Sequence, residues 1–433
     1  MRLLYVIVGY GAEHIGYEMH REIAQEIMAR GHSYTIWALT HSKHMRNRTP
    51  ETIEDGIPIV RAVCAGPKYL DLINRLATPI FKFPWFLTAL SRLVAFLWNH
   101  RDYDLVIAEG AFPIGAIVYL ATRIVRLPFI MYINGADFIA NQQANYGYAR
   151  YALVRWFLRR AYQSARLLKA ESPYGAESTI ALGCPPEKMT LVQRNIGRCC
   201  YPPEDRDLAT YRRQARERVG AAFHITAPRL ILASGRLLPI KGFDLLIRAL
   251  PHVVERAGDV QVLFLGPNRV DTRLGNYQQV LTQLAQELGV ADRIVFAGSV
   301  AYDQVRDFVA AADVVAIPSR QDSGNKLVME AAAVATPFVA THTAGNARWA
   351  PEWDCGLIIN PEAVQEMADG LVRLLCDPVA ARRMGQNGLR FAAMFHPARV
   401  AERTLWLCEC AVQRESPPQE LREFNTLLHP NLS

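Results

Sequence analysis

An apolar strand runs into a loop with two separated cations at Leu230-Ile231-Leu232-Ala233-Ser234-Gly235-Arg236-Leu237-Leu238-Pro239-Ile240-Lys241-Gly242-Phe243. The spacing of apolar residues predicts a helix over 242–256, and strands and helices then alternate up to a strand at 314–317. This alternation predicts a parallel sheet with helices on both faces. In such open sheets, ligands bind beyond the carboxyl ends of the strands. Arg236 and Lys241 are therefore predicted to face a ligand, with solvated loop cations as the alternative.

Two carboxylates enclose a second segment, Asp322-Ser323-Gly324-Asn325-Lys326-Leu327-Val328-Met329-Glu330. Asp322 is predicted just before a helix and Glu330 about two turns inside it, on different faces, so that they contact different parts of an extended ligand. Backbone amides at the helix start favour phosphate. Taken alone, the segment favours a plainer interpretation, in which Asp322 caps the helix and Glu330 lies on the surface. Combined with the two cations upstream, it predicts a site for a nucleotide diphosphate-sugar.

The first half of the chain shows the same alternation of strands and helices. Predicted strands lie at 3–8, 34–39, 105–108 and 129–133, and predicted helices at 17–30 and 114–125. Because 433 residues exceed what one hydrophobic core usually serves, we predict an α/β fold of two doubly wound, Rossmann-like domains facing a central cleft. The predicted bounds are 1–200 for an N-terminal acceptor-side domain, 201–224 for a linker, 225–395 for a C-terminal nucleotide-sugar-binding domain, and 396–433 for a helix that crosses back to the first domain, followed by a tail.

Composition narrows the class of protein. Apolar residues make up 51% of the chain, but no run reaches the roughly 18 consecutive apolar residues of a membrane span. The segment that starts at Met1 is typical of a first strand rather than of a signal peptide, so we expect a cytoplasmic protein. The eight cysteines are scattered without metal-ligand spacing. We therefore expect reduced structural thiols.

Charge is distributed unevenly along the chain. Residues 1–200 hold 23 Lys and Arg against 15 Asp and Glu, whereas the remainder holds 25 against 26. Two interpretations carry equal weight, namely a solvated basic surface and attraction to an anionic acceptor or membrane. No nucleic-acid partner is expected.

Residues 68–101 combine aromatic and aliphatic side chains with interspersed cations. A helix that lies on the inner face of a membrane has this composition, as does a helix pair that shields the first sheet. Pro79 and Pro84 interrupt any long helix. We favour burial of most of this segment, with 82–85 as its exposed tip.

Together these segments resemble the retaining GT-B glycosyltransferases of family four, also called group 1. The resemblance rests first on the Gly-Arg and Lys-Gly pairs and on Pro318-Ser319, which precedes two acidic residues separated by seven others. It rests also on a strand at 335–341 that is similar to the family's Thr-Pro-Val-Val-Ala segment, and on residues 295–298, which resemble a family segment beside the nucleobase. In the first half, Gly31-His32, the strand at 104–107, Asn134-Gly135-Ala136-Asp137 and Asn195-Ile196-Gly197 resemble further family segments. The resemblance covers most of the chain.

The resemblance implies transfer of a hexose, with retention of anomeric configuration, from a nucleotide diphosphate-sugar to a hydroxyl of a glycan or lipid-linked acceptor in cell-surface polysaccharide or glycolipid synthesis. It favours a UDP-sugar over a GDP-sugar, and implies no cofactor and no metal. Arg236 and Lys241 would bind the diphosphate, Glu330 the ribose and Asp322 the sugar hydroxyls. Asn134 stands where the family usually has a His that contacts the donor. The implied catalytic residues are thus Asp322, Arg236, Lys241 and Asn134.

The remaining implied site residues fall into two groups. Implied donor-binding residues are Gly235, Arg236, Lys241, Gly298, Asp322, Gly324, Asn325, Lys326, Leu327 and Glu330. Implied residues of the loops and acceptor side of the first domain are Gly9, Gly11, Glu13, His14, Gly16, Gly135 and Asp137.

Four departures from the family pattern are present. Asp322 is one methylene shorter than the usual Glu, and Asn134 cannot take up a proton near neutral pH. The segment 324–327 replaces Phe-Gly-Leu-Val and places Lys326 at a helix start, against the helix dipole. We hypothesise that Lys326 contacts donor phosphate or an acidic sugar. The loop 9–16 is longer than the simple Gly-Gly form, and within it His14 and Glu13 are favoured over Glu18 and His20 as ligand contacts.

Two alternatives stay open. One is another enzyme on the same fold, such as an epimerase or a phosphorylase. The other is a catalytically weak sugar-nucleotide-binding subunit that supports a partner transferase. Asp322 and Asn134, in place of the usual Glu and His, leave this second alternative open.

Overall fold

A computed structural model describes residues 1–11, 14, 16–41, 50–64, 68–142, 145–268 and 275–423. The chain divides into two compact units. Unit 1 comprises Met1–Asn195 and Pro397–Ser433, and unit 2 comprises Ile196–His396. The C-terminal segment therefore belongs with the first half of the chain.

Unit 1 begins with a strand, a helix and a parallel strand, as the apolar pattern predicts. Its elements are β1 (Arg2–Val8), α1 (Tyr17–Ala29), β2 (Ser33–Thr40), β3 (Glu51–Glu54), β4 (Ile57–Val63), α2 (Lys68–Phe81), α3 (Phe86–Asn99), β5 (Leu105–Ala108), α4 (Ala116–Val125), β6 (Phe129–Tyr132), α5 (Gly135–Phe138), α6 (Ala152–Ser164), β7 (Leu168–Ala170), α7 (Pro173–Ala181) and β8 (Met189–Leu191).

Unit 2 repeats the alternation, and the chain then returns to unit 1. Unit 2 contains α8 (Leu208–Phe223), β9 (Arg229–Ser234), α9 (Phe243–Ala257), β10 (Val260–Leu265), α10 (Tyr277–Glu287), β11 (Ile294–Gly298), α11 (Val305–Ala311), β12 (Val314–Ile317), α12 (Lys326–Ala333), β13 (Phe338–Thr341), α13 (Ala350–Trp353), β14 (Gly356–Ile359), α14 (Val364–Cys376) and α15 (Pro378–Ala392). The last helices are α16 (Pro397–Gln413) and α17 (Gln419–Arg422).

Each unit is built on one sheet. Among the described residues the order is β3-β4-β2-β1-β5-β6-β7-β8 in unit 1 and β11-β10-β9-β12-β13-β14 in unit 2. All pairs are parallel except β3 with β4. The order reverses beside β1 in unit 1 and beside β9 in unit 2. These reversals are where open α/β sheets bind ligands, so the loops after β1, β5, β9 and β12 define the candidate positions.

The central strands are buried on both faces, which explains their continuous apolar sequence. Leu3, Leu4 and Val6 of β1 are fully buried, as are Leu230, Ile231 and Leu232 of β9. Helix α16 contributes Ala401, Leu405 and Cys408 to the core of unit 1. Helix α8, within the predicted linker, is held in unit 2 by Arg212, which donates to the carbonyls of Ala312 and Val334 at 2.8 Å.

The prediction that most of residues 68–101 are buried is correct for one of two helices and wrong for the other. Helix α3 buries Phe86, Ala89, Leu93 and Leu97, as predicted. Helix α2 does not follow the prediction, because it exposes Leu72, Ile73, Leu76 and Ile80. Within the described ranges, no single helix has the length and apolar character to cross a membrane, although the pair Leu72–Phe81 and Phe86–Asn99, bent by 104°, meets those two criteria jointly.

Candidate active site

The loops after β9 and β12 meet where the strand order of unit 2 reverses. Gly242 has φ +67°, and a Cβ there would lie 2.0 Å from the carbonyl oxygen of Pro318, so the close approach of the two loops requires glycine. Across this contact Lys241 Nζ donates to Asp322 Oδ2. The side chains of Lys241 and Asp322 are only 19% and 17% exposed. The structure thus brings together two residues predicted from separate segments.

Asn325 fixes the carboxylate of Asp322. Its Nδ2 donates to Asp322 Oδ2 at 3.0 Å, and its Oδ1 accepts from the backbone N–H of Leu327 at 3.0 Å. Asn325 is therefore the N-cap of α12, and the plainer interpretation of Asp322 as N-cap is wrong. The backbone N–H of Asp322 donates to Thr343 O at 3.0 Å, which anchors the loop from the other side.

Glu330 lies inside α12, about one turn from its first residue Lys326 rather than two turns as predicted. It is buried, so its interpretation as a surface residue is wrong. Burial raises the pKa of Glu330, and the charge of Lys326 opposes that rise. Lys326 Nζ lies 4.7 Å above the ring of Tyr302. When ionised, Glu330 offsets part of the charge that Lys326 places at this helix start.

Tyr302 completes this part of the site and was not identified from the sequence. Tyr302 opens a short turn, and helix α11 begins after that turn at Val305. Its hydroxyl accepts from the thiol of Cys200 at 3.2 Å and from the backbone N–H of Gly197 at 3.4 Å. An aromatic residue four positions after the predicted Gly298 was the available signal.

The other implied donor residues lie around these loops. Gly235 follows β9 and approaches Gly266 so closely that a Cβ on Gly266 would lie 2.1 Å from Gly235 O. Arg236 is half-buried in the same loop, and Gly324 is half-buried in the loop after β12. Gly298 ends β11 with φ +71°, and its carbonyl accepts from Gly266 N at 2.7 Å. Their contacts with a donor remain predictions.

The loop after β1 contains the implied glycines of unit 1. Gly9 has φ +72°, and a Cβ there would lie 2.3 Å from the ring of His14. His14 donates its backbone N–H to Gly11 O at 2.9 Å, and Gly16, with φ +92°, is the N-cap of α1. The implied residue Glu13 lies outside the described residues. Within unit 1, His14 packs on Gly9.

Asp137 and Gly135 belong to the short helix α5, which follows β6. Asp137 is buried and accepts from the backbone N–H groups of Ala111 at 2.7 Å, Phe112 at 3.0 Å and Asn134 at 2.8 Å. Burial raises its pKa to about 7, against the effect of these three bonds. The structure gives Asp137 the role of joining the loops after β5 and β6.

A buried ionic cluster in unit 1 was missed by sequence reasoning. Arg194 donates through Nη2 to Glu109 Oε1 at 2.6 Å and through Nε to Glu171 Oε1 at 2.5 Å. Glu109 directly follows β5 and Glu171 directly follows β7. Charged residues immediately after apolar strands were the signal that identified Arg236, and the same rule would have selected these two.

Family models match both halves of the chain. Residues 16–195 match the model described as glycosyl transferase 4-like domain, and residues 219–391 match the model described as glycosyl transferases group 1. The chain belongs to the group 1 glycosyltransferases. Together the two matches span most of its length, which confirms the resemblance seen in the sequence.

Curated relatives of this group 1 glycosyltransferase include D-inositol 3-phosphate glycosyltransferase of Corynebacterium glutamicum, which is 29% identical over 234 residues, 53% of this chain and 54% of that protein. A second is the GDP-mannose-dependent alpha-(1-6)-phosphatidylinositol monomannoside mannosyltransferase of Mycolicibacterium smegmatis, which is 24% identical over 312 residues, 70% of this chain and 75% of that protein. The chain spans about half the length of the D-inositol 3-phosphate glycosyltransferases that it matches.

Solved structures similar to this group 1 glycosyltransferase confirm the predicted GT-B fold. The structure of Anabaena Alr3699/HepE in complex with UDP has a TM-score of 0.70 at 18% identity, covering 94% of this chain and 98% of that chain. WaaG, a glycosyltransferase involved in lipopolysaccharide biosynthesis, has a TM-score of 0.65 at 16% identity, covering 93% and 98%.

Proposed function

We propose that this group 1 glycosyltransferase transfers a hexose from a UDP-sugar to a hydroxyl of a glycan or lipid-linked acceptor with retention of configuration. The observation that carries the proposal is the juxtaposition of Lys241 and Asp322 at the reversal of unit 2, with Glu330 buried one turn into the adjoining helix. A cation for diphosphate and carboxylates for hydroxyl groups are the chemistry that a nucleotide-sugar requires.

Each residue of the proposed donor site has a distinct task. Lys241 and Arg236 stabilise the negative charge that develops on the departing diphosphate, together with the backbone N–H groups at the start of α12. Asp322 Oδ2 is already bonded to Lys241 and Asn325, which leaves Oδ1 to accept from a sugar hydroxyl. Glu330 accepts from the ribose hydroxyls.

The proposed chemistry needs no protein nucleophile. The bond between the anomeric carbon and the diphosphate oxygen breaks, the acceptor oxygen bonds to the same face of that carbon, and the acceptor proton passes to the departing diphosphate. Positioning and charge stabilisation supply the rate enhancement. We further propose that the two cations neutralise the diphosphate without a metal ion, so that transfer persists in excess EDTA.

Two observations support different donor bases. The solved complex of Alr3699/HepE contains UDP, whereas two relatives named for GDP-mannose dependence use a guanine nucleotide. We propose a UDP-sugar, and a thermal-shift screen of UDP-glucose, UDP-galactose and GDP-mannose tests that choice. A donor at 100 times its Kd adds about 2.7 kcal/mol of stability. Stabilisation by GDP-mannose alone would contradict the UDP proposal.

An assay for sugar transfer to an acceptor distinguishes an active enzyme from a subunit that only binds the sugar nucleotide. Purified protein is incubated with the stabilising donor and with glycan and lipid-linked acceptors, and the product linkage is determined by NMR. We expect an α-linked product from an α-configured donor. Donor binding without transfer or donor hydrolysis would favour the sugar-nucleotide-binding subunit, and an inverted product would contradict retention.

We also propose contact with the anionic, inner face of a membrane, with the enzyme in the cytoplasm. Leu72, Leu76 and Ile80 lie on one face of α2 and are at least half exposed, and on α6 Leu153 and Trp156 are also exposed. We call these five residues the apolar patch.

The rings of Phe81 and Phe157, 5.7 Å apart, join the two helices that carry the apolar patch. Cations border the patch, since Arg160 lies over the ring of Trp156 and Lys82 over that of Tyr151. This combination suits the anionic cytoplasmic leaflet.

A further inference from the structure

The side-chain amide of Asn134 is held at both ends inside unit 1. Its Oδ1 accepts from Arg194 Nη2 at 2.8 Å, and its Nδ2 donates to Glu109 Oε1 at 3.3 Å. Arg194 can only donate and an ionised Glu109 can only accept, so the two neighbours determine which end of the amide is oxygen and which is nitrogen. Asn134 therefore presents one defined donor and one defined acceptor.

Arg194 is itself fixed by two carboxylates. Its side chain is 22% exposed, while those of Glu109 and Glu171 are 7% and 8% exposed. Burial would raise the pKa of Glu109, but the charges of Arg194 and His20 and a 2.5 Å hydrogen bond from the hydroxyl of Tyr5 lower it to about 2. Glu109 is thus ionised at neutral pH.

The backbone at Gly110 also fits the hydrogen-bonded arrangement of Asn134, Arg194 and Glu109. Gly110 has φ +92°, and a Cβ there would lie 3.1 Å from Asn134 Nδ2. A side chain at Gly110 would crowd the amide against Arg194 and Glu109. The Asn134 amide contacts Glu109 and Arg194, and these two residues are bonded in turn by Tyr5 of β1 and by Glu171 after β7.

We propose that Arg194 is a positioning residue that acts through Asn134 by holding its amide in the orientation that hydrogen-bonds the reacting sugar. The inference rests on the proposed function and on the role that the family resemblance implies for Asn134, which stands where the family usually has a His that contacts the donor. A histidine at this position can rotate and change protonation, whereas Asn134 cannot be protonated near neutral pH. The Arg194–Glu109 pair gives a neutral amide the fixed polarity that it needs.

The test is a double-mutant cycle in the chain of 433 residues. Arg194→Lys keeps the charge but removes the planar fork that reaches three acceptors at once. We expect a fall of about tenfold to a hundredfold in kcat with less than about a twofold change in donor KM, because misplacement of a reacting group affects the transition state more than the ground state. In the Asn134→Ala background, we expect Arg194→Lys to change kcat by less than about twofold.

Two further variants separate positioning from stability. Arg61 forms a comparable ion pair with Glu54 at 2.7 Å, with its own side chain fully buried, and does not contact Asn134 in the described structure. Arg61→Lys should lower Tm and leave kcat unchanged. Glu171→Gln leaves Arg194 in place and preserves the side-chain volume at position 171, but it removes one of the two carboxylates that pair with Arg194. It is therefore the test variant if Arg194→Lys does not fold. It should give a smaller fall in kcat that again disappears with Asn134→Ala.

The outcomes distinguish this inference from the function on which it rests. If the wild type is active and Arg194→Lys and Glu171→Gln lower kcat by the same factor with and without Asn134→Ala, the positioning role is overturned and the proposed function stays intact. A fall in kcat for Arg61→Lys equal to that for Arg194→Lys would also overturn the positioning role and leave the proposed function intact. A folded wild type with no transfer from any nucleotide-sugar would overturn both.

Discussion

The ammonium group of Lys241 and the carboxylate of Asp322 form an ion pair across 81 positions of sequence. Both are candidates for donor binding, and each is the charge partner of the other. A bound diphosphate would share Lys241 with Asp322, and the bond between the two side chains restricts the positions that each can take. This preorganisation lowers the ordering entropy that binding would otherwise require.

Lys241→Ala should therefore impair transfer strongly. Loss of one preorganised charge donor typically lowers kcat about a hundredfold or more, and here Asp322 would also lose its partner. Steady-state kinetics with the identified donor measure the effect. Arg256→Ala is the matched control, because Arg256 pairs with Asp369 at an exposed site of unit 2 and its loss should leave kcat unchanged. Equal kinetics for wild type and Lys241→Ala would contradict the assignment.

Glu330→Gln should weaken donor binding without destabilising the fold. Replacing a charged acceptor of the ribose hydroxyls by a neutral one should raise donor KM about tenfold to a hundredfold. Burial raises the pKa of Glu330, so the folded state binds a proton more readily than the unfolded state does. The carboxyl therefore favours folding below its unfolded pKa, and this contribution is lost as pH rises through the folded pKa. At neutral pH, the Gln variant should have a Tm equal to or above that of wild type.

Lys326→Met should shift the pH dependence of donor use. Lys326 lowers the raised pKa of Glu330, so its removal raises that pKa further and reduces the ionised fraction at a given acidic pH. The acidic limb of kcat/KM for the donor should move to higher pH, whereas Arg382→Met, an exposed change on α15, should not move it. An unshifted limb together with a raised donor KM would instead support direct contact between Lys326 and the donor. No change in donor affinity would refute that direct contact.

Leu76→Glu should release the protein from anionic vesicles. Leu76 is 70% exposed in the apolar patch, and transfer of a leucine side chain into an apolar phase contributes about 1.5–3 kcal/mol. We expect at least about a tenfold drop in binding to phosphatidylglycerol vesicles in co-sedimentation. Val280→Glu, an equally drastic change at an exposed position of α10 in unit 2, is the control. Failure of wild type to bind such vesicles would exclude membrane contact.

Arg212→Met should destabilise unit 2. Arg212 bonds two backbone carbonyls and the hydroxyl of Thr336, and burial lowers its pKa against the opposing charge of Asp313. Unsatisfied buried carbonyls cost about 1–3 kcal/mol each, so Tm should fall by several degrees for a unit of this size. Arg213→Met, on the exposed side of the same helix, should change Tm by about 1 °C or less.

The fold was predictable where one apolar run encodes one strand. The predicted strands at 105–108 and 314–317 match the structure to the residue, because strands covered on both faces need every side chain to be apolar. Strands β7 and β8 were missed because three residues carry no usable periodicity. The hairpin of β3 and β4 was missed because β3 alternates exposed and half-buried residues at the sheet edge.

The candidate site was predictable to the extent that its chemistry is local in sequence. Lys241 and Asp322 each follow an apolar strand, and strand order then brings them together. The contact of Arg194 with Glu109 spans 85 positions, and neither residue belongs to a recognisable motif. For Lys326, the predicted contact with donor phosphate or an acidic sugar stays a prediction, and the sequence reasoning did not consider Glu330, four residues along the same helix.

The return of the chain to unit 1 at Pro397 determines the order in which a nascent chain can complete its cores. Unit 2 is one continuous stretch and can finish as soon as His396 leaves the ribosome. Unit 1, although synthesised first, lacks Leu405 and Cys408 of its core until α16 has been translated. A premature stop codon just after His396 would therefore spare unit 2 and leave the amino-terminal half of the protein with an open core.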